Sequence, residues 1–284
     1  MKNILILGGS GTIGSALYKE LAPYYNTYAT FYNNKSCVNN NYFYFNSHVD
    51  SLKSVLKKTS PKLIINALKG EDEELIKAQQ TIVNYCFKHN CRLMLMSGSN
   101  VFDAFHNYLS YEYDKTLSES KYGKLQIKLE NCALKLSYTK YVIVRSAIIF
   151  GSKSPRIKEI DLSIQKRIPI EVFPNAIINF SILWRLTQQI HYIINHNLSG
   201  IFHLGTNELI SHSELIEKIV ESRYFIKPIY KKVYSSNEIL YLALLNNTNK
   251  LPSHLSYSAM NFRVFYSVLA RNRYFPVEEL NTFR

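Results

Sequence analysis

Residues 8–14 read Gly-Gly-Ser-Gly-Thr-Ile-Gly, and they lie between a strand-like run, Ile4 to Leu7, and the helical stripe Ile13, Leu17, Leu21 that Pro23 closes. A glycine pattern in that context constrains the fold more than any other feature of the chain. Gly8 permits a tight turn, Gly11 lets backbone approach a pyrophosphate, and Gly14 lets the helix pack closely on the sheet. The free N–H groups and positive dipole end of that helix favour phosphate. The spacing is Gly-x-x-Gly-x-x-Gly rather than Gly-x-Gly-x-x-Gly.

The same alternation continues downstream. Thr27 to Phe31, Tyr42 to Phe45, Lys62 to Asn66, Arg92 to Met96 and Tyr141 to Val144 read as strands. Helices are expected after Asp50, from Glu71 to Lys88 and from Glu119 to Leu136. Strands separated by helices need crossover connections, hence a parallel sheet covered on both faces. The class is α/β, a doubly wound parallel sheet. Beyond Gly151 the rhythm loosens: helices are expected over 157–165, 181–195 and 211–222, the last opened by the capping-box spacing Ser211-His-Ser-Glu214, with a strand over 201–204. The expected division is a dinucleotide-binding core over 1–151 and a smaller lobe over 152–284, interleaved with the end of the core.

Composition narrows the function classes. No run approaches the ~18 apolar residues of a membrane span, and the first residues do not read as a signal peptide, so a cytosolic protein is expected. Cys37, Cys86, Cys91 and Cys132 form no Cys-x-x-Cys pair, and Cys86 and Cys91 around His89 lack a second ligand pair, so free thiols are expected and no metal site. A formal charge of +13 favours an anionic partner. The cations are spread along the chain with short clusters at 227–232 and 263–273, without any nucleic-acid-binding pattern, so no specific nucleic-acid partner is expected.

Ser97-Gly-Ser-Asn-Val-Phe-Asp103, Glu112 and Asp114, Tyr122-Gly123, Glu130, and Arg145-Ser-Ala-Ile-Ile-Phe-Gly151 together resemble the extended short-chain dehydrogenase/reductases, most closely the dTDP-4-dehydrorhamnose reductase type. The likeness covers about residues 1 to 220. It implies a Rossmann-type core, a small C-terminal substrate lobe and an NAD(P) cofactor. It also implies reduction or epimerisation of a nucleotide-linked sugar for surface polysaccharide synthesis, with a homodimer as an open alternative. Carried onto this chain, it sets Gly8, Ser10, Gly11, Thr12, Ile13, Gly14, Tyr32, Lys35, Asn66, Ala67, Tyr122 and Gln126 against the cofactor. No Asp or Glu ends the second strand, where one would grip a ribose 2′-OH, and Lys35 is close by; this leans toward NADP, with NAD as the alternative.

The family's catalytic set is a Thr or Ser, a Tyr and a Lys. Here the tyrosine is Tyr122, the lysine position holds Gln126 and the hydroxyl position holds Gly98. Ser97 and Ser99 flank Gly98 and are the candidates to replace the hydroxyl, provided the chain bends there. Lys124 and Lys128 lie about 200° around the helix from Gln126 and do not replace the lysine. The loop after Asn66 is shorter than the family's. Two readings follow: an enzyme with a rearranged site in which Tyr122 still moves the proton, and a dinucleotide-binding or regulatory protein without catalysis. A basic interaction module is a third.

Overall fold

The computed structural model describes residues 2–35, 39–70, 72–151, 154–224, 228–234 and 236–258. Seven parallel strands form the central sheet: β1 (Asn3–Leu7), β2 (Asn26–Phe31), β3 (Tyr42–Tyr44), β4 (Leu63–Asn66), β5 (Arg92–Gly98), β6 (Tyr141–Ser146) and β11 (Gly200–Leu204). Their order is β11-β6-β5-β4-β1-β2-β3, so the winding reverses between β1 and β4.

Strand alternation splits the core into two layers. Ile4 and Ile6 face α1 (Thr12–Leu21) and α6 (Leu183–Asn195), with Leu17, Leu21, Leu186 and Ile190 in the same cluster. Leu5 and Leu7 face the opposite cluster, supplied by α2 (Leu52–Thr59), α3 (Asp72–Lys88) and α4 (Lys121–Ala133). The doubly wound arrangement expected from the alternation is present.

A third cluster gathers Phe150, Ile157, Val172, Phe180, Leu215 and Ile219. It is built from α5 (Pro155–Gln165), α7 (His212–Arg223) and short strands that periodicity did not reveal: β7 (Ile148–Phe150), β8 (Ile170–Val172), β9 (Ala176–Ile178), β10 (Phe180–Ile182), β12 (Ile210–Ser211), β13 (Tyr230–Lys232) and β14 (Leu240–Leu242). The helix expected from residue 181 begins two residues later, because Phe180–Ile182 pairs in parallel with Ile148–Phe150 and Ser181 bonds the Leu204 carbonyl. The chain crosses residue 151 in both directions, since β11 and α6 return to the main sheet. No helix among the described residues is long and apolar enough to cross a membrane, and none of their His, Cys, Asp and Glu residues cluster to hold a metal. Cys86, Cys91 and Cys132 are free thiols; Cys37, Glu71 and the cluster at 263–273 lie outside the described residues.

Candidate functional site

A cleft of about 530 Å³ opens at the carboxyl ends of β1, β4, β5 and β6, at the point where the strand order reverses. Thr12 and Ile13 from the first turn of α1 form one wall, Ala67 to Lys69 the next, and Gly98 to Asn100 with Tyr122 and Gln126 the floor. Ser154 to Arg156 at the start of α5 and Tyr241 to Leu244 from the lobe close the far side.

The glycine loop is held by its neighbours. Gly8 sits at φ +78°, and a Cβ there would lie 2.5 Å from the Ala67 carbonyl oxygen, so only glycine fits. Its N–H donates to Thr30 Oγ1 at 3.0 Å. Gly14 is closed in by the Gly8 carbonyl, and Gly9, which sequence reasoning passed over, packs on Ala29. Gly11 caps α1 with no side-chain hydrogen bond, leaving the Thr12, Ile13 and Gly14 N–H groups without intrahelical acceptors. Its surroundings are open except for the Gly8 oxygen. That geometry fits a pyrophosphate.

Tyr122 and Gln126 share one face of α4. Gly123 brings the start of that helix close, since a Cβ there would meet Asn100 O at 2.2 Å. Ser120 caps it, accepting from Gly123 N at 3.0 Å and donating to Asp103. Burial alone would raise the Asp103 carboxyl, but hydrogen bonds from Ser120, Ser118 and the backbone outweigh it and hold it below its ordinary value. The Tyr122 ring is 49% exposed. Partial burial raises its phenol above the usual value, and a hydrogen bond from Gln126 offsets part of the rise. Gln126 is 4% exposed, and its Oε1 has no partner. An acceptor stranded in a cleft wall fits a ribose hydroxyl.

The other candidates divide. Ala67, Thr12, Ile13, Ser97 and Ser99 line the cleft. The chain does bend after Gly98, into a 3₁₀ turn over Ser99–Phe102. Ser97 is tied up, donating to Glu130 Oε1 at 2.6 Å. Asn66 faces inward: its amide donates to Gln79 Oε1 at 2.8 Å and its oxygen accepts from Leu68 N. It shapes the turn after β4 and does not line the cleft. Tyr32 and Lys35 are exposed beyond β2, outside the lining, and Asn34 between them donates to Ser10 O, which sets that segment beside the glycine loop.

Arg145 and Glu130 are scaffold. Buried together, they meet at 2.8 Å between Nη2 and Oε2, and Arg145 also reaches Glu112 O and His203 Nε2. Sequence reasoning missed Lys69, His106, Ser154, Arg156 and the 241–244 segment. Lys69 was visible as the cation of a shortened loop; the segment from the lobe arrives through pairing with residues 106–110, which leaves no local signal. Among the lining residues Lys69 and Arg156 are cationic and Asp103 alone is acidic. Buried atoms without a partner gather here too: His106 Nδ1, Gln126 Oε1 and Ser154 Oγ all belong to cleft residues.

A family model described as RmlD substrate binding domain matches residues 1–237. The fold is similar to that of a dTDP-4-dehydrorhamnose reductase from Clostridium acetobutylicum, with a TM-score of 0.73 and 18% identity over 95% of this chain and 100% of that one. A hypothetical dTDP-4-dehydrorhamnose reductase from Sulfolobus tokodaii gives 0.73 at 21% identity, covering 86% and 92%. The Bacillus anthracis reductase in complex with NADP gives 0.67 at 18%, covering 87% and 92%. A search of curated proteins by sequence found no match.

Proposed function

The chain belongs to the RmlD substrate binding domain family, and from that premise we propose that it is an NADP-dependent reductase of a keto sugar carried on a nucleotide, serving surface polysaccharide synthesis, with NAD as the alternative cofactor. Residues 1–151 hold the dinucleotide and the lobe beyond them helps hold the sugar nucleotide. The observation that carries this reading is the cleft itself, with an open helix N-terminus at one end and Tyr122 beside the unpartnered Gln126 Oε1 at its floor.

The Thr12 to Gly14 N–H groups take the diphosphate, and Gln126 Oε1 accepts from a ribose hydroxyl. When bound, the cofactor supplies a hydride to a carbonyl carbon. Tyr122 supplies the proton to the carbonyl oxygen. Because burial raises its phenol, the group is protonated at neutral pH and can donate, but it is almost never a phenolate that could accept. The site therefore favours reduction over oxidation. Water reaches the half-exposed ring and restores the proton. Ser99 is the hydroxyl available to steady the carbonyl, since Ser97 is bonded to Glu130. Lys69 and Arg156 suit the negative charge of a nucleotide diphosphate.

The test is NADPH oxidation by the full chain against a panel of 4-keto nucleotide sugars. Turnover is expected to be slow, steady through neutral pH and lost only as pH rises above 10, where the donor form disappears. The absence of turnover on every sugar would exclude the reductase. Gln126 and Gly98 favour a second reading, a binding or regulatory protein that keeps the cofactor site. That reading requires calorimetric NADPH binding without turnover, and failure to bind either dinucleotide eliminates both.

A further inference from the structure

The end of the sheet opposite the cleft carries a second feature. Lys2, Lys62, Arg92 and Lys140 stand at or just before the first residues of β1, β4, β5 and β6. Lys57 and Lys58 close α2 and Lys88 closes α3, while Lys135 follows α4. Parallel strands with antiparallel helices bring all of these to one side of the molecule. Residues 22–26, 57–62, 87–92, 131–141 and 196–200, which form this end, contain no Asp or Glu. The carboxylates in the last turns of the helices that end here are already paired, Glu20 of α1 with His191 at 2.8 Å and Glu130 of α4 with Arg145.

Where a cation of this face has a hydrogen-bond partner, that partner is neutral, as for Lys2 with Asn197 Oδ1. Arg92 donates to the carbonyls of Thr139 and Leu198 and Lys140 to that of Cys86, and no ion pair among the described residues involves any of the cations of this face. Burial, and after it the Arg92 charge, pushes the Lys2 ammonium below its ordinary value, as expected for like charges crowded without an anion. Helix C-termini account for part of the pattern. Five helices end here, each worth about half a negative charge, so roughly 2.5 charges are offset out of eight cations.

Exposed apolar groups accompany the charge. Tyr24, Phe87, Leu134 and Tyr138 all lie at this end and are exposed. Five adjacent strand ends, β6 to β2, span about 20 Å, and among the described residues no helix or ribbon projects from them to enter a nucleic-acid groove. Seven of the eight cations are lysines, compact charges suited to a diffuse array of headgroups, whereas base readout favours the planar fork of arginine. We propose that this basic, carboxylate-free face docks the protein peripherally on an anionic lipid bilayer, with the cleft turned away from the membrane.

The experiment is co-sedimentation of the full chain with phosphatidylcholine vesicles that do or do not contain phosphatidylglycerol. Binding is expected only to the anionic vesicles, and high salt should reverse it. The triple variant K57Q/K58Q/K62Q should weaken binding by about fivefold per lysine, about a hundredfold together. The variant K158Q/K166Q/K232Q, an equal loss of exposed charge on the lobe, should change it less than about threefold. Circular dichroism on both triples checks folding, and the salt dependence of the unmodified chain stands if either fails to fold. Equal binding to neutral vesicles, equal loss from both triples, or tighter binding to a mixed-sequence DNA duplex than to the vesicles would each overturn the proposal.

Discussion

Gln126 is buried beside Tyr122 and carries no charge, so it can polarise the phenol only through one hydrogen bond. A lysine in its place would add a full positive charge within reach of the oxygen and lower the tyrosine pKa. Gly98 has φ −154° and ψ −179°, extended backbone open to any residue, and a Cβ there would meet nothing nearer than Ser146 O at 3.6 Å. A side chain can therefore begin at this position without backbone strain or a clash at Cβ. The double variant G98T/Q126K is expected to raise kcat/KM for NADPH-dependent ketone reduction by about 100-fold, the scale of one well-placed acid-base group. It should also move the alkaline limb of the pH profile to lower pH. Steady-state assays check both, and a fall in activity instead means that the native pair serves a different reaction. The rest of that spacing has a plainer role. Glu130 and Arg145, which belong to the resembling pattern, are consumed by each other and by Ser97, because a buried guanidinium needs its carboxylate.

At the scale of the element, the start of α4 decides where Tyr122 stands. Ser120 caps the helix, Asp103 holds Ser120, and Gly123 lies against Asn100 O and Ser118 Oγ with no room for a methyl group. Gly123→Ala is expected to cost about 1–3 kcal/mol through overpacking. That corresponds to a melting temperature about 5 °C lower, measured by calorimetry. Activity should fall further than stability, since the helix cannot shift without carrying Tyr122 away from Gly98. The sequence announced this helix and its partner strands because each carries a period of its own. It did not announce β7 to β10, strands of three residues whose pairing is set by the lobe core and not by alternation. Nor did it reveal the segment over 241–244 that walls the cleft, which is held by long-range backbone bonds such as Tyr241 N to His106 O at 2.7 Å.

Across the whole molecule, two buried histidines, one joining the lobe to the sheet and one inside the lobe, make its stability acid-sensitive. His203, on β11, reaches Leu245 O with Nδ1 and Arg145 with Nε2, and burial followed by the Arg145 charge lowers its pKa to about 4. His212, at the start of α7, faces Phe173 N, and burial followed by the Arg156 charge lowers it to about 4 as well. The unfolded chain binds these protons near pH ~6.5 and the folded chain does not, so their contribution is complete above 6.5 and disappears as pH falls toward 4. Each accounts for a loss on the order of 3 kcal/mol. Urea midpoints should be level from pH 8 to 7 and drop steadily from 6.5 to 4.5; a level midpoint over that lower range would contradict the assignment. The division between what was legible and what was not follows from the range of the forces. Strand and helix periods, the glycine turn after β1 and the spacing around Tyr122 are local, so the α/β class, the doubly wound sheet and the glycine-loop end of the cleft were determined by the sequence alone. Which serine is spent on Glu130, which carboxylates are scaffold, which part of the lobe walls the cleft, and that eight scattered cations share one face depend on contacts between distant residues. Only the packed chain decides those, because burial and charge pairing are properties of neighbours in space.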